Sequence, residues 1–191
     1  MPLESTPFSL DELRALASAS LFAVVDACDT PSVPTMAATQ GDDRAASLYL
    51  GTAQEDYWAI APYLFHVGAP VLDWILADLW TEPWGIFVVA HEDFAALRRH
   101  FRRFLLVRSP EGEQWYFRYY DPRVLASFLP TCSEGQLTEL FGPVRAFILA
   151  EPGGPLTRIR RSAAPGSAPA SSTACEPAPK APKGPQIRIP V

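Results

Sequence analysis

Three cysteines in 191 residues are too few, and too odd in number, for a disulfide framework. Cys28, Cys132 and Cys175 show no short paired spacing. This points to a reducing compartment, with Cys28 and Cys132 simply buried. Long hydrophobic runs are also missing. No window approaches the ~18 uninterrupted apolar residues of a membrane span, and the strongest stretch, 70–80, is short and carries Asp73 and Asp78. The opening residues, Met1 to Ser5, have no basic region and no apolar region after it, so no secretory signal is expected. These absences together predict a cytoplasmic protein without membrane insertion.

The usual signatures of chemistry are scarce. There is neither a P-loop nor a Rossmann glycine pattern, and no serine stands in Gly-x-Ser-x-Gly. His66, His91 and His100 are dispersed, with no ligand spacing to one another or to a cysteine, so neither a metal nor a cofactor is expected. Positive charge is short where it would matter for nucleic acid. Residues 1–150 hold 10 basic and 19 acidic side chains, whereas residues 151–191 hold 6 basic and 2 acidic. An acidic body excludes phosphate neutralisation as the main mode of binding.

What is present is an apolar fraction of 48% with 12% aromatics, enough for one packed domain with a tail. Residues 1–19 read as an N-terminal capping helix. Ser9 and Glu12 form a capping box there, with Phe8 and Leu13 at the staple positions. Residues 20–161 read as the α/β domain proper. Leu21 to Ala27 is a nearly continuous apolar run, the pattern of a strand buried on both faces. Residues 29–46 lack a period and read as a loop. Short strands are expected over 47–51 and 61–65, the second starting or lying at an edge because of Pro62. A deeply packed helix begins at Pro70, a strand covers 85–90 and an amphipathic helix covers 92–104. Residues 105–107 and 115–120 flank a turn-rich connection and read as a hairpin. Helices over 122–129 and 134–141, then a last core strand over 144–150, complete a mixed α/β domain with a mixed sheet. Residues 162–191 are rich in Pro, Ala, Ser and Gly, a linker composition expected to be disordered. Only the apolar alternation around Ile187 and Ile189 suggests a strand that could add to a sheet edge.

The densest local pattern is Trp115-Tyr116-Phe117-Arg118-Tyr119-Tyr120-Asp121-Pro122-Arg123. Strand alternation would place Trp115, Phe117 and Tyr119 on one face and Tyr116, Arg118 and Tyr120 on the other. Pro122 suits a first helical turn and Asp121 its N-cap, so Arg118, Tyr120, Asp121, Pro122 and Arg123 read as a structural corner. Asp26, at the end of a buried strand, reads chiefly as a cap or the partner of an arginine. Along the amphipathic helix, Arg98 with Arg102 and Arg99 with Arg103 form two rows on the exposed side. Such rows are a solvated face, or a docking face for an acidic protein partner.

The order of several short motifs resembles one bacterial family. These are Val25-Asp26-Ala27, Ala61-Pro62-Tyr63-Leu64, Trp84-Gly85-Ile86-Phe87, the run Leu97 to Phe104, Phe117 to Arg123, Phe128-Leu129-Pro130 and Phe141-Gly142-Pro143. Over roughly residues 20–150 they are similar to the domain-of-unknown-function family read as type VI secretion adaptors, or effector chaperones. The resemblance implies a non-enzymatic cytoplasmic protein that binds a cognate secreted effector and helps load it onto the spike tip protein. Two other classes fit the residues alone. One is a small hydrolase or transferase using Asp26 or Asp121 with a histidine. The other is a stand-alone peptide-binding module whose tail covers its own sheet edge.

Overall fold

The computed structural model describes residues 3–17, 19–28, 30–108 and 112–162. Seven strands form one sheet: Leu3–Phe8 (β1), Leu21–Asp26 (β2), Ala45–Ser47 (β3), Pro62–His66 (β4), Gly85–Ala90 (β5) and, after a separate hairpin of Leu106–Arg108 (β6) with Gln114–Tyr116 (β7), Val144–Ala150 (β8) and Leu156–Arg161 (β9). Their order is β1-β9-β8-β5-β2-β4-β3. The interior strand β2 is apolar up to Asp26 and buried throughout, as its unbroken hydrophobic run requires. Gly85 is needed where β5 starts beside it. A Cβ there would stand 2.1 Å from the Val24 carbonyl oxygen, which is backbone and cannot move aside.

Seven α-helices accompany the sheet: Leu10–Leu16 (α1), Ser32–Gln40 (α2), Thr52–Tyr57 (α3), Ala69–Trp74 (α4, continued by a π-helical turn at Ile75–Leu79), Phe94–Arg102 (α5), Pro122–Phe128 (α6) and Glu134–Phe141 (α7). Strand alternation sorts the side chains into two layers. Ala23, Val25, Phe65 and Phe87 point to one face, where Leu13, Val33 and Val71 of α1, α2 and α4 meet them. Phe22, Val24, Leu64 and Phe147 point to the other, under Leu97, Leu125 and Leu137 of α5, α6 and α7. Each fully buried phenylalanine contributes on the order of 1.5–3 kcal/mol through removal from water. The capping boxes at Ser9/Glu12 and Ser133/Gln136 are both formed.

The domain is mixed in its helices and strands, as expected, but every strand pair in the sheet is antiparallel rather than mixed. The strands linked by α2 and by α4 run parallel to each other but are never neighbours, because an antiparallel strand lies between them. The N-terminal segment is more than a capping helix, because β1 pairs with β9 from Leu3↔Arg161 to Phe8↔Leu156. Nor is β8 the last strand of the sheet. Residues 29–46 contain α2, whose Pro34 sits in the first turn, where a missing N–H leaves no helical bond unmade. The hairpin is also shorter than expected. After Tyr116 the Phe117 N–H makes one more bond, to the Leu105 carbonyl at 2.9 Å, and the chain then turns through Arg118–Asp121. Tyr119 and Tyr120 are therefore both buried instead of facing opposite ways. Cys28 is exposed, just past the end of β2, and Cys132 is half-buried. Tail residues 163–191, with Cys175, Ile187 and Ile189, lie outside the described residues.

Candidate interaction surface

The end of β2 gathers most of the polar groups singled out above. Asp26 is held by its backbone N–H on the Trp84 carbonyl at 2.9 Å. Its Oδ1 accepts from the Cys28 N–H at 3.0 Å and its Oδ2 from Arg118 Nη2 at 2.5 Å. Burial pushes the Asp26 carboxyl above its ordinary range, more than the Cys28 amide and Arg118 pull it down. The Arg118 guanidinium, half-exposed, loses hydration here, which lowers its pKa, but the charge and hydrogen bond of Asp26 together with Tyr120 and Asp121 outweigh that loss and raise it. The same guanidinium lies 5.9 Å from the Tyr120 ring centre.

A chain of hydroxyls runs outward from there. Tyr120 and Tyr116 share a hydrogen bond at 3.0 Å, and Tyr49 donates to Tyr116 at 2.9 Å. Burial drives the phenols of Tyr116 and Tyr120 well above their ordinary range, so both remain neutral hydrogen-bonding groups. Next along the chain, Asp121 caps α6. Its Oδ1 accepts from the Arg123 backbone N–H and Nε, both at 3.0 Å, and its Oδ2 from Arg123 Nη2 at 2.6 Å. Burial alone would raise this carboxyl, but the bonds from Arg123 hold it below its ordinary value. Asp26, Arg118 and Tyr120 are thus brought together, with Asp121, Pro122 and Arg123 as the adjoining corner.

The arginine rows part company. Arg98 Nε donates to the Ser47 carbonyl at 2.8 Å and Arg102 Nε to the Leu48 carbonyl at 3.0 Å, both side chains half-buried. This row is not on the exposed side: it clamps the segment that follows β3. Arg99 and Arg103 do lie exposed. The histidines stay apart from the carboxylates. His100 is buried and donates Nε2–H to the Leu140 carbonyl at 2.9 Å, His66 sits 3.4 Å from Arg44, and His91 is exposed. Among the described residues, no histidine bonds Asp26 or Asp121, and no group of three or more His, Cys, Asp and Glu could hold a metal ion. No helix among them is long and apolar enough to cross a membrane.

Sequence reasoning missed the most conspicuous surface feature. Residues 51–60 are exposed without a break, forming a spur of α3 and a 3-10 turn at Trp58–Ile60. Tyr57, Trp58 and Ile60 are each about half exposed (54, 53 and 50%), as is Leu50 at its base. The Tyr63 hydroxyl donates to the Trp58 carbonyl at 3.0 Å, and the Ala27 N–H to that of Ala61 at 3.2 Å. The spur is therefore anchored at the end of β2. The Tyr49–Tyr116 bond ties its base to the β6–β7 hairpin, whose Trp115 is 55% exposed. The only signal in the sequence was Glu55-Asp56-Tyr57-Trp58, aromatics beside acids in a stretch with no apolar period. The spur and its base thus carry several large apolar side chains in water, an arrangement typical of protein-binding surfaces.

No curated protein and no solved structure gives a significant match to this chain. A family model described as "Domain of unknown function (DUF4123)" matches residues 21–139. The matched stretch begins with β2, ends within α7, and contains the Asp26–Arg118 pair, the spur and the capped corner. Because the match covers more than half of the 191 residues, the chain belongs to this DUF4123 family.

Proposed function

We propose that this protein is a non-enzymatic adaptor that binds a type VI secretion effector in the cytoplasm and helps load it onto the spike tip protein. The observation that supports this reading is the spur of half-exposed Tyr57, Trp58 and Ile60 in a member of the DUF4123 family, together with the motifs named above, which resemble those of effector chaperones. Tryptophan and tyrosine dominate binding hot spots because they bury large areas with few rotatable bonds. The polar groups beside the spur hold structure: Asp26 is paired with Arg118 and Asp121 with Arg123, which supports a scaffold over an acid–base pair.

Co-expression with a toxin gene and a spike gene encoded nearby tests the proposal. The effector should co-purify with the wild-type chain, and Tyr57→Ala/Trp58→Ala should weaken capture about tenfold or more. Failure of both neighbours to co-purify, with all partners soluble, would overturn the adaptor assignment. Turnover of any ester, peptide, glycoside or phosphodiester substrate that is lost in a folded Asp26→Asn variant would replace it with the enzymatic reading.

A further inference from the structure

Away from the aromatic spur, a groove of about 770 Å³ opens between α6 and the outer half of the sheet. Leu3, Leu149 and Ile159 contribute from β1, β8 and β9, and Ala126, Leu129 and Cys132 from the α6 side. Charge in the lining is confined to Arg123, already bonded to Asp121, and to Glu134 and Glu151. The volume falls in the range of clefts that take small ligands or a short peptide.

The chain itself leads to this groove. Arg161, at the end of β9, donates to Glu134 Oε2 at 3.2 Å and to Thr138 Oγ1 at 3.0 Å, so Ser162 follows beside the groove's acidic residue. The sequence then has a spacer rich in Pro, Ala, Ser and Gly over 163–185, and after it Gln186-Ile187-Arg188-Ile189-Pro190-Val191. We propose that this last segment binds in the groove of its own molecule. In an extended chain Ile187, Ile189 and Val191 share one face, which suits the apolar floor, and Arg188 takes the other, toward the acidic groups. A spacer of this length spans at most roughly 75–80 Å and as a flexible coil averages about 27 Å, so reaching the groove needs no strain. Tethering supplies an effective concentration on the order of 1 mM. Charge acts in the same direction, since residues 163–191 hold 3 basic and 1 acidic side chains and residues 1–162 hold 13 basic and 20 acidic. A partner segment with the same alternation of apolar and basic side chains has to displace the tail to enter.

Cys132 reports on the groove from within, and exposed Cys28 serves as the reference thiol. Full-length protein and the full-length Ile187→Asp/Ile189→Asp variant are treated with N-ethylmaleimide, and each cysteine is followed by mass spectrometry. The ratio of the Cys132 rate to the Cys28 rate is expected to rise roughly threefold or more in the variant, as an intramolecular contact of this effective concentration is lost. Adding a peptide of residues 183–191 at millimolar concentration should restore protection in the variant, whereas the same peptide carrying both aspartates should not. An unchanged ratio between the two proteins, or equal protection by both peptides, overturns the proposal. No partner protein enters the measurement, so its failure leaves the adaptor reading standing.

Discussion

Asp26 and Asp121 both face arginines, yet burial and hydrogen bonding leave them shifted in opposite directions. Asp121 is the stabilising one. Asp121→Ala removes the α6 cap and should lower stability by about 1–2 kcal/mol, whereas Arg123→Ala should lower the melting temperature less, because the capping bond from the residue-123 backbone N–H remains while the buried carboxylate loses its two side-chain bonds. The Asp121 carboxyl lies below its ordinary 3.8. Its contribution is therefore present above that pH and is lost as the pH falls through the folded-state value. His100 gives a second acid-sensitive term. It is buried against Phe101, Phe104 and the Leu140 carbonyl, and burial lowers its pKa from 6.5, with the charge of Arg103 acting in the same direction. The neutral imidazole is thus favoured in the fold, and stability present above pH 6.5 is lost as the pH drops through the lowered value. Urea midpoints at pH 7.5 and pH 5.5 should fall less steeply in His100→Gln; His66, also lowered by burial, accounts for part of the remainder. The caps at Ser9, Asp121 and Ser133 were legible because a cap and its N–H lie two or three residues apart. The clamps made by Arg98 and Arg102 were not, since their carbonyl partners lie 51 and 54 residues away.

Among the elements, the spur and the start of β5 make opposite demands on the fold. Tyr57 and Trp58 are exposed, and the Tyr63 hydroxyl bonds only the backbone of Trp58. Tyr57→Ala/Trp58→Ala should therefore leave the denaturation midpoint within about 0.5 kcal/mol of wild type, and this separates lost binding from lost folding. Gly85→Ala should do the reverse. Its Cβ would collide with the Val24 carbonyl inside the central strand pair, costing roughly 3 kcal/mol or more, readable as loss of cooperative thermal unfolding. Strands β2, β5 and β8 could be located from their hydrophobic runs, because burial on both faces leaves a strong signature. Helices α2 and α3 could not. The first has prolines at its start and few apolar positions, and the second is exposed throughout, with its one aromatic side chain, Tyr57, in water, against the rule by which amphipathic helices are found.

At the scale of the molecule, the sheet order was not legible because β1 pairs with β9 across nearly the whole described chain. Nothing local in Leu3–Phe8 marks a strand of the main sheet; its side chains are half-buried or exposed, and Pro7 interrupts the run. Removing residues 3–8 should lower the urea midpoint, since it uncovers the edge of β9 and strips Phe8 and Leu3 from the two layers.

That pairing also fixes the order in which the protein can be completed during synthesis. Strand β1 has to wait for roughly 150 more residues before its partner exists, about 8–30 s at ordinary elongation rates. Throughout that interval β1 stands without the partner it has in the folded sheet, and the sheet closes only once β9 has been made.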